Sequence, residues 1–260
     1  MRAMAGTIKT KEEIAILREG GQKLAAIRDA LASRIAARVS AQEVEHYAAE
    51  LFLQTGGVSS FFNYRPKRSK HPYPARVCIS VNEVIVHGLP RADIIFQEGD
   101  IVGIDVGMKY RGLFTDTAVT VPVGKVSEEA AKLLQVTKQA LAVGIGAVRA
   151  GVTTGDIGFA IESFVKSVGH FGIVRTLGGH GVGYAVHEEP HLPNFGKRGE
   201  GEVLRAGMVV AIEPMLTLGS PDLVLDADGH SFRTKDGSLG AHFEHTLVIT
   251  ENGCEILTKG

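Results

Sequence analysis

The sequence contains little cysteine, no tryptophan and no long apolar run. Its 260 residues include two cysteines, Cys78 and Cys254. Two cysteines cannot build a disulfide framework, and their scarcity favours a reducing compartment. No stretch reaches the roughly 18 consecutive apolar residues of a membrane span, and the segment Met1–Thr10 lacks the hydrophobic core of a secretory signal. We therefore expect a cytoplasmic protein that has no membrane partner.

Neither sign of charge dominates, since 28 Lys and Arg face 29 Asp and Glu and give a formal net charge of −1. This balance excludes a protein that binds polyanions over its whole surface, and we do not expect DNA as a partner. A local basic patch is compatible with a net charge near zero. Hydrophobic residues make up 44% of the chain and charged residues 22%. These proportions are typical of a globular protein with a core, in one large domain or two small ones.

Apolar spacing and capping residues predict four helices. Capping-box patterns begin at Thr10 and at Ser40, and the second helix should stop at Gly56. Helical spacing returns from Ser127 to about Ala150 and from Thr154 to Val168. Strand-like runs occur at Val77–Val81, Val84–Val86, Ile101–Val106, Thr117–Val121, Val203–Leu204, Met208–Ile212, Leu223–Leu225 and Phe243–Ile249.

The order of elements is therefore two helices and strands, then two helices and strands again. Residues 39–56 also match residues 152–169 in their capping residue, apolar face and terminal glycine. The match is compatible with coincidence between two amphipathic helices, but the repeated order favours duplicated halves at about 10–123 and 127–250. We predict an α+β fold with pseudo-twofold symmetry, in which helices cover one face of an antiparallel sheet.

Two aspartates occupy an apolar hairpin between Asp100 and Val121, with a tight turn at residues 110–112. If the hairpin is centred between Tyr110 and Arg111, Asp105 lies directly opposite Asp116. Facing carboxylates repel and aspartate is a poor strand former, so this arrangement calls for a bound multivalent cation. The alternative is a register shifted by a bulge, with both aspartates solvated.

Three further residues are candidate metal ligands. His180 lies among glycines that let a ligand or backbone approach closely, while Glu213 and Glu244 lie on apolar strand faces. Carboxylates are rarely buried on such faces unless they are paired or bind a metal. Four carboxylates and one imidazole suit Co²⁺, Mn²⁺, Fe²⁺ or Zn²⁺, and their charge suits two divalent ions. Such a centre would hydrolyse an amide or an ester.

Several segments resemble type I methionine aminopeptidases, which have the pita-bread fold. They are VCISVNEVIVHGLP (77–90), DIVGIDVG with TDTAVTV, GHGVGYAVHEEP (179–190), AIEPM (211–215) and FEHTLVIT (243–250). The likeness runs from about Thr10 to the end of the chain. It implies a single catalytic domain over residues 1–260 that removes the initiator methionine from nascent polypeptide N-termini when the next residue is small. It also implies two divalent ions, and we expect a monomer.

The resemblance implies a role for each site residue. Asp105 would chelate one metal, Asp116 and Glu244 would bridge both, and His180 and Glu213 would complete the second. Glu213 would also shuttle the proton of the nucleophilic water, while His87 would contact the scissile amide nitrogen and His187 would stabilise the oxyanion. The methionine pocket would be lined by Tyr64, Tyr73, Cys78, Val186 and His230, with Cys78 as a small hydrophobic side chain and not a nucleophile.

Three features depart from the usual pattern of this family. A basic segment, Arg65–Pro72, replaces a very short link; it is either a solvated loop or, through Arg65–His71, a contact for ribosomal RNA. His230 stands where a tryptophan is usual, and His242 where a glutamine is usual before FEH. We expect altered tolerance at the residue that follows methionine.

Three alternatives are compatible with parts of this pattern. A proline-specific aminopeptidase or dipeptidase would share the fold but usually carries a sizeable extra N-terminal domain, whereas only 86 residues precede His87. The second type of methionine aminopeptidase carries an insertion between the metal histidine and the next glutamate, and the gap from His180 to Glu213 is only 33. A binding module that has lost its metals would lack ligands, and all five are present.

Overall fold

A computed structural model describes residues 6–65 and 71–260 of the chain. Within these residues there are four helices, α1 (Lys11–Ala32), α2 (Ala41–Thr55), α3 (Glu128–Ala147) and α4 (Thr154–Val168). The strands are β1 (Val58–Ser59), β2 (Val77–Val81), β3 (Val84–Val86), β4 (Ile101–Tyr110), β5 (Leu113–Pro122), β6 (Gly172–Ile173), β7 (Gly179–Gly181), β8 (Glu188–Leu192), β9 (Val209–Ile212), β10 (Met215–Thr217), β11 (Leu223–Leu225), β12 (Phe232–Thr234), β13 (Gly240–His242), β14 (Glu244–Ile249) and β15 (Cys254–Ile256).

The predicted helix starts are confirmed. Thr10, Ser40 and Thr153 each accept a hydrogen bond from the backbone N–H three residues on, and the carboxylate at that position accepts from the capping residue's N–H. Two otherwise unpaired backbone donors are satisfied at each start. The second helix ends as predicted at Gly56, whose φ of 72° is left-handed.

Replacing Ser40 by alanine is expected to lower the free energy of unfolding by about 1 kcal/mol, because the Glu43 N–H loses its acceptor at the start of α2. Urea titration followed by circular dichroism measures the change. Ser33→Ala is the control, since Ser33 is exposed and only donates to Ala30 O at the end of α1. An equal loss in both variants would contradict the capping argument.

A nine-stranded sheet forms the centre of the molecule. Its main path is β1-β4-β5-β14-β9-β7-β8, with β2 on β4 and β15 on β14, and every pairing is antiparallel. Two three-stranded sheets, β13-β10-β6 and β11-β12-β3, flank it. This arrangement of helices and antiparallel sheet confirms the α+β expectation; that residues 10–123 and 127–250 are duplicated halves stays a prediction.

Alternation along the strands separates the helix-covered core from the polar residues. On β4, Ile104 and Val106 pack with α1 and α2, and on β14, Leu247 and Ile249 pack with α3 and α4. Because successive side chains of a strand point to opposite faces, Asp105 and Glu244 project away from these helices. The apolar pattern of the sheet thus concentrates the carboxylates on one face.

Threonine hydroxyls join the two parts of the sheet where β5 meets β14. The Thr117 hydroxyl donates to Glu244 O at 2.8 Å, and the Thr246 hydroxyl donates to Asp116 O at 2.7 Å and accepts from Asp116 N. The guanidinium of Arg28, reaching over from α1, donates to the Thr117 hydroxyl at 2.9 Å. These buried bonds fix the backbones that carry Asp116 and Glu244.

Two predicted strand details were wrong. The β4–β5 hairpin pairs Tyr110 with Leu113, so Asp105 faces Ala118 and Asp116 faces Gly107, not each other. The reason is a two-residue turn in which Arg111 and Gly112 have φ of 48° and 91°, the geometry of a type I′ hairpin. The register therefore shifts by two residues, which keeps both aspartates on the same face. Val203 forms only an isolated bridge to Thr153, not a strand.

Candidate metal centre and substrate pocket

Asp105 and Asp116 lie buried on the face of the sheet that the helices leave open. They are diagonal neighbours across the hairpin, and their side chains are within hydrogen-bonding reach of each other. Burial raises the pKa of Asp105 to about 7, and burial together with Asp105 raises the pKa of Asp116 well above its ordinary value. Ionisation of both carboxylates is therefore unfavourable unless a positive charge lies nearby.

His180 is supplied by β7, whose glycines permit close strand packing. A Cβ on Gly181 would lie 2.7 Å from the carbonyl carbon of Glu189, and one on Gly179 would overlap Ala211 O. The Nδ1 of His180 is 2.9 Å from Gly181 O, and Nε2 lies 3.6 Å from Glu213 Oε1. The backbone contact directs Nε2 toward the carboxylates.

Glu213 follows β9 directly, and Glu244 begins β14, so neighbouring strands bring them to the same place. Burial raises the pKa of Glu244 well above its ordinary value, and the charges of Asp116 and Glu213 add to the effect. Burial also acts to raise the pKa of Glu213, but the contact with His242 and the charge of His180 more than offset it, so this pKa lies below the usual value. Glu213 is consequently the readily ionised carboxylate of the group.

The residues fit a divalent cation. Ligand atoms of Asp116, His180 and Glu244 all lie within 4.8 Å of one another, and all three residues are buried. Among the described residues, Asp105 Oδ1 and Glu244 Oε1 are buried oxygens without a hydrogen-bond partner. Such orphaned oxygens are costly unless a cation coordinates them. Carboxylate oxygen with imidazole nitrogen is a donor set for first-row divalent metals.

His87 follows β3 at the other side of the centre. Its φ of 59° is unusual for a residue other than glycine, and its carbonyl accepts from the Ser231 hydroxyl at 3.4 Å. Its ring lies 5.7 Å from that of Phe232. Burial lowers the pKa of His87 to about 4. The imidazole is therefore neutral near pH 7, with one donor and one acceptor nitrogen.

His187 lies at the exposed rim of the centre, where the ring centroids of His180 and His187 are 4.5 Å apart. Its Nδ1 is 3.0 Å from the Tyr64 hydroxyl. The contact with the Tyr64 hydroxyl orients the His187 ring. Tyr64 also packs against the apolar cluster of Tyr73, Cys78 and Val186.

A buried apolar cluster adjoins the carboxylates. Tyr73, Cys78 and Val186 form one buried cluster, with Tyr64 packed against it. Cys78 pairs with Asp105 across β2 and β4, so this cluster adjoins the candidate metal ligands. Burial, followed by the charge of Asp105, raises the pKa of Cys78 well above its ordinary value, so the side chain is a neutral thiol. The ring of His230 meets Tyr73 edge-on at 5.6 Å.

The sequence alone did not identify two residues of this region, Phe61 and His242, as candidate site residues. Phe61 belongs to the same apolar cluster as Tyr73 and Cys78. The sequence feature that could have indicated Phe61 is Gly107, a glycine within a strand. A Cβ at Gly107 would lie 2.7 Å from the Phe61 ring. His242 was noted only as an unusual residue, yet its Nε2 lies 3.2 Å from Glu213 Oε2. Of the basic segment Arg65–Pro72, residues 66–70 lie outside the described residues.

Comparison with known proteins gives a consistent result. The model of metallopeptidase family M24 matches residues 15–251. The methionine aminopeptidase of Aquifex aeolicus is 43% identical over 260 residues, which cover 98% of this chain and 100% of that protein. Methionine aminopeptidase 1 of Bacillus subtilis is 39% identical, with 96% and 98% covered.

A solved structure shows the same fold. The crystal structure of methionine aminopeptidase from Thermotoga maritima superposes with a TM-score of 0.94 at 42% identity, and the match covers 98% of this chain and 100% of that one. The family match, these relatives and the buried carboxylate–histidine cluster agree. This chain belongs to metallopeptidase family M24 and, within that family, to the methionine aminopeptidases.

Proposed function

We propose that the protein removes the initiator methionine from nascent polypeptides whose second residue is small. The observation that carries this proposal is the buried cluster of Asp116, His180 and Glu244, with Asp105 paired across the sheet to Cys78 of a buried apolar cluster. Two divalent ions, of cobalt, manganese, iron or zinc, would supply a nucleophile at neutral pH and polarise the scissile carbonyl. Within the described residues, no helix is long and apolar enough to cross a membrane.

Five residues would hold these ions. Asp105 would chelate one ion, Asp116 and Glu244 would bridge the pair, and His180 and Glu213 would complete the second. Glu213 would accept the proton of the attacking water, since its lowered pKa leaves the carboxylate ionised and free to accept near pH 7.

The two histidines outside the carboxylate cluster would act on the peptide bond. His87, neutral near pH 7, would donate to the scissile amide nitrogen. His187, held by the Tyr64 hydroxyl, would donate to the developing oxyanion. The free α-amine of the substrate would also bind at the centre, which explains why only an N-terminal residue is cleaved.

The methionine side chain would enter the pocket of Tyr64, Tyr73, Cys78, Val186 and His230. The buried aromatic rings and the neutral thiol offer an apolar surface to a thioether. His230 places a polar ring against the Tyr73 ring. We therefore expect the range of residues accepted after methionine to change in the His230→Trp variant.

The substrates would be the N-termini of nascent chains in the cytoplasm, approached by the protein as a monomer. The basic residues of Arg65–His71 would contact ribosomal RNA, an interaction that weakens as salt is added. If a variant with Lys67, Arg68 and Lys70 all neutralised sediments with ribosomes as the parent protein does, this contact does not exist.

The experiment that tests the function compares peptides and metals. Purified protein is stripped with chelator, reloaded with Co²⁺ or Mn²⁺, and assayed on Met-Ala-Ser, Met-Leu-Ser and Ala-Pro peptides. Cleavage of Met-Ala-Ser that is lost on chelation and restored by metal supports the proposal. Preferential cleavage of Ala-Pro would assign the protein to the proline-specific branch of the fold instead, and no cleavage with either metal would overturn the peptidase function.

His187→Ala is expected to lower kcat on Met-Ala-Ser by about 100- to 1000-fold with little change in KM, because an oxyanion donor acts mainly in the transition state. Steady-state kinetics on the metal-reloaded protein measures both constants. His191→Ala, an exposed histidine four residues away on β8, should retain full activity. A rise in KM with kcat unchanged would show that His187 only binds substrate.

A further inference from the structure

His242 lies in the centre without a role in the proposed mechanism. It ends β13, on the short sheet beside the main one. Its backbone N–H donates to the Thr120 hydroxyl at 2.9 Å, and its carbonyl accepts from that hydroxyl at 2.7 Å. The backbone is therefore fixed on both sides, and the ring is held at a defined position.

The ring nitrogen of His242 faces two of the carboxylates. Nε2 lies 3.2 Å from Glu213 Oε2 and 4.0 Å from Glu244 Oε2. The side chain is only 4% exposed, so water does not satisfy this nitrogen. Nε2 and Glu213 Oε2 are at ion-pair distance but outside hydrogen-bond geometry, and no other described residue forms a hydrogen bond with Nε2. A buried nitrogen without a hydrogen bond is uncommon and requires an explanation.

A metal ion between these residues supplies that explanation. A neutral imidazole directs the lone pair of one ring nitrogen at a metal, and Nε2 of His242 lies beside the same carboxylate, Glu213, that His180 Nε2 approaches at 3.6 Å. The two imidazoles thus reach Glu213 through different oxygens, Oε1 for His180 and Oε2 for His242. Both ring nitrogens therefore lie beside Glu213, and Nε2 of His242 also faces Glu244.

We propose that His242 is a sixth protein ligand of the centre and coordinates, through Nε2, the ion that is also held by His180, Glu213 and Glu244. This inference rests on the metal centre of the proposed function. A second nitrogen favours ions that bind imidazole well, so this subsite selects Co²⁺ or Zn²⁺ over Mn²⁺ more strongly than one imidazole would.

Replacing His242 by glutamine tests the assignment by metal binding. The chain is stripped of metal and titrated with Co²⁺ and with Mn²⁺ by calorimetry. In the His242→Gln variant we expect the affinity of one site for Co²⁺ to fall about 10- to 100-fold, with a smaller loss for Mn²⁺. The other site should be unchanged. His170→Gln, an exposed histidine beyond α4, is the control for non-specific binding by imidazole.

Proton NMR of the Co²⁺-loaded protein gives a direct count of coordinated imidazoles. The wild type should show two hyperfine-shifted, exchangeable imidazole N–H resonances, from His180 and His242, and His242→Gln should show one. His242→Ala repeats the count with a different side chain, and circular dichroism checks its folding. One resonance in the wild type would overturn the proposal, as would equal Co²⁺ affinities in the wild type and His242→Gln. Neither result would affect the proposed function if the wild type still cleaves Met-Ala-Ser.

Discussion

Glu244→Gln is expected to reduce kcat/KM on Met-Ala-Ser by at least about 1000-fold, or 4 kcal/mol of transition-state stabilisation. The glutamine amide keeps the shape of the side chain but offers one neutral oxygen where a carboxylate would bridge two ions. Asp116 alone would not hold two ions, so the nucleophile that they would supply at neutral pH would be lost. The assay uses protein reloaded with saturating Co²⁺ or Mn²⁺.

The same substitution should have the opposite effect on the stability of the metal-free protein. Burial and the neighbouring carboxylates raise the pKa of Glu244 above its unfolded value, so the native state holds a proton that the unfolded state releases. The free energy of unfolding contributed by this group therefore falls as pH rises above about 4.5. At pH 7.5 and in chelator, Glu244→Gln should be more stable than the wild type by about 1–3 kcal/mol.

Metal should invert that order, since the wild type binds it more tightly and is stabilised by mass action. Urea titrations at pH 5 and pH 7.5, with and without metal, measure the free energy of unfolding of both proteins under each of the four conditions. Glu255→Gln is the matched control, because Glu255 forms a half-exposed ion pair with Arg18 and should change stability by less than about 1 kcal/mol. A metal-free Glu244→Gln protein that is less stable than wild type at pH 7.5 would contradict the repulsion argument.

Local patterns predicted the helices well, because their evidence lies within a few residues. The capping side chain of Thr153 and the carboxylate of Asp156 form reciprocal bonds, so the two residues together mark the start of α4. The register of the β4–β5 hairpin was predicted wrongly by two residues. Its turn depends on positive φ at Arg111 and Gly112, and arginine gives no indication of that conformation in the sequence.

The sequence indicated several of the residues that the structure brings together, and it indicated their contacts less well. Carboxylates on apolar strand faces indicated Glu213 and Glu244, because burial without a partner is unfavourable for a charge. The position of His242 depends on β13, which packs beside β5 through Thr120. No spacing rule relates residues 120 and 242, so the approach of His242 to Glu213 emerges only from the tertiary arrangement.

Gly88→Ala is expected to lower the free energy of unfolding by about 3 kcal/mol and to reduce activity about 100-fold. A Cβ at Gly88 would lie 2.8 Å from the carbonyl carbon of Ile79 and 2.9 Å from the Cα of Ser80, and would overlap the Ile79 oxygen. These are backbone atoms of a buried strand, so no side chain can move aside. Gly88 is also tied by Ile79 N and by the Tyr73 hydroxyl, both of which donate to its carbonyl.

The activity is expected to fall because the residue before Gly88 is His87. Relief of the overlap displaces this segment, and a shift of about 1 Å in a positioned donor costs on the order of 100-fold in rate. Gly146→Ala is the control with the opposite sign. Position 146 is an exposed site in α3, and apart from its chain neighbours and the helix's own backbone no atom of a described residue lies within 4 Å of the added Cβ, so alanine should stabilise the protein by about 0.4–1 kcal/mol and leave kcat/KM unchanged. Thermal and urea unfolding, together with peptide kinetics, test both variants. A Gly88→Ala protein of wild-type stability would show that the backbone of β2 can shift to accommodate the added Cβ, which would contradict the packing argument.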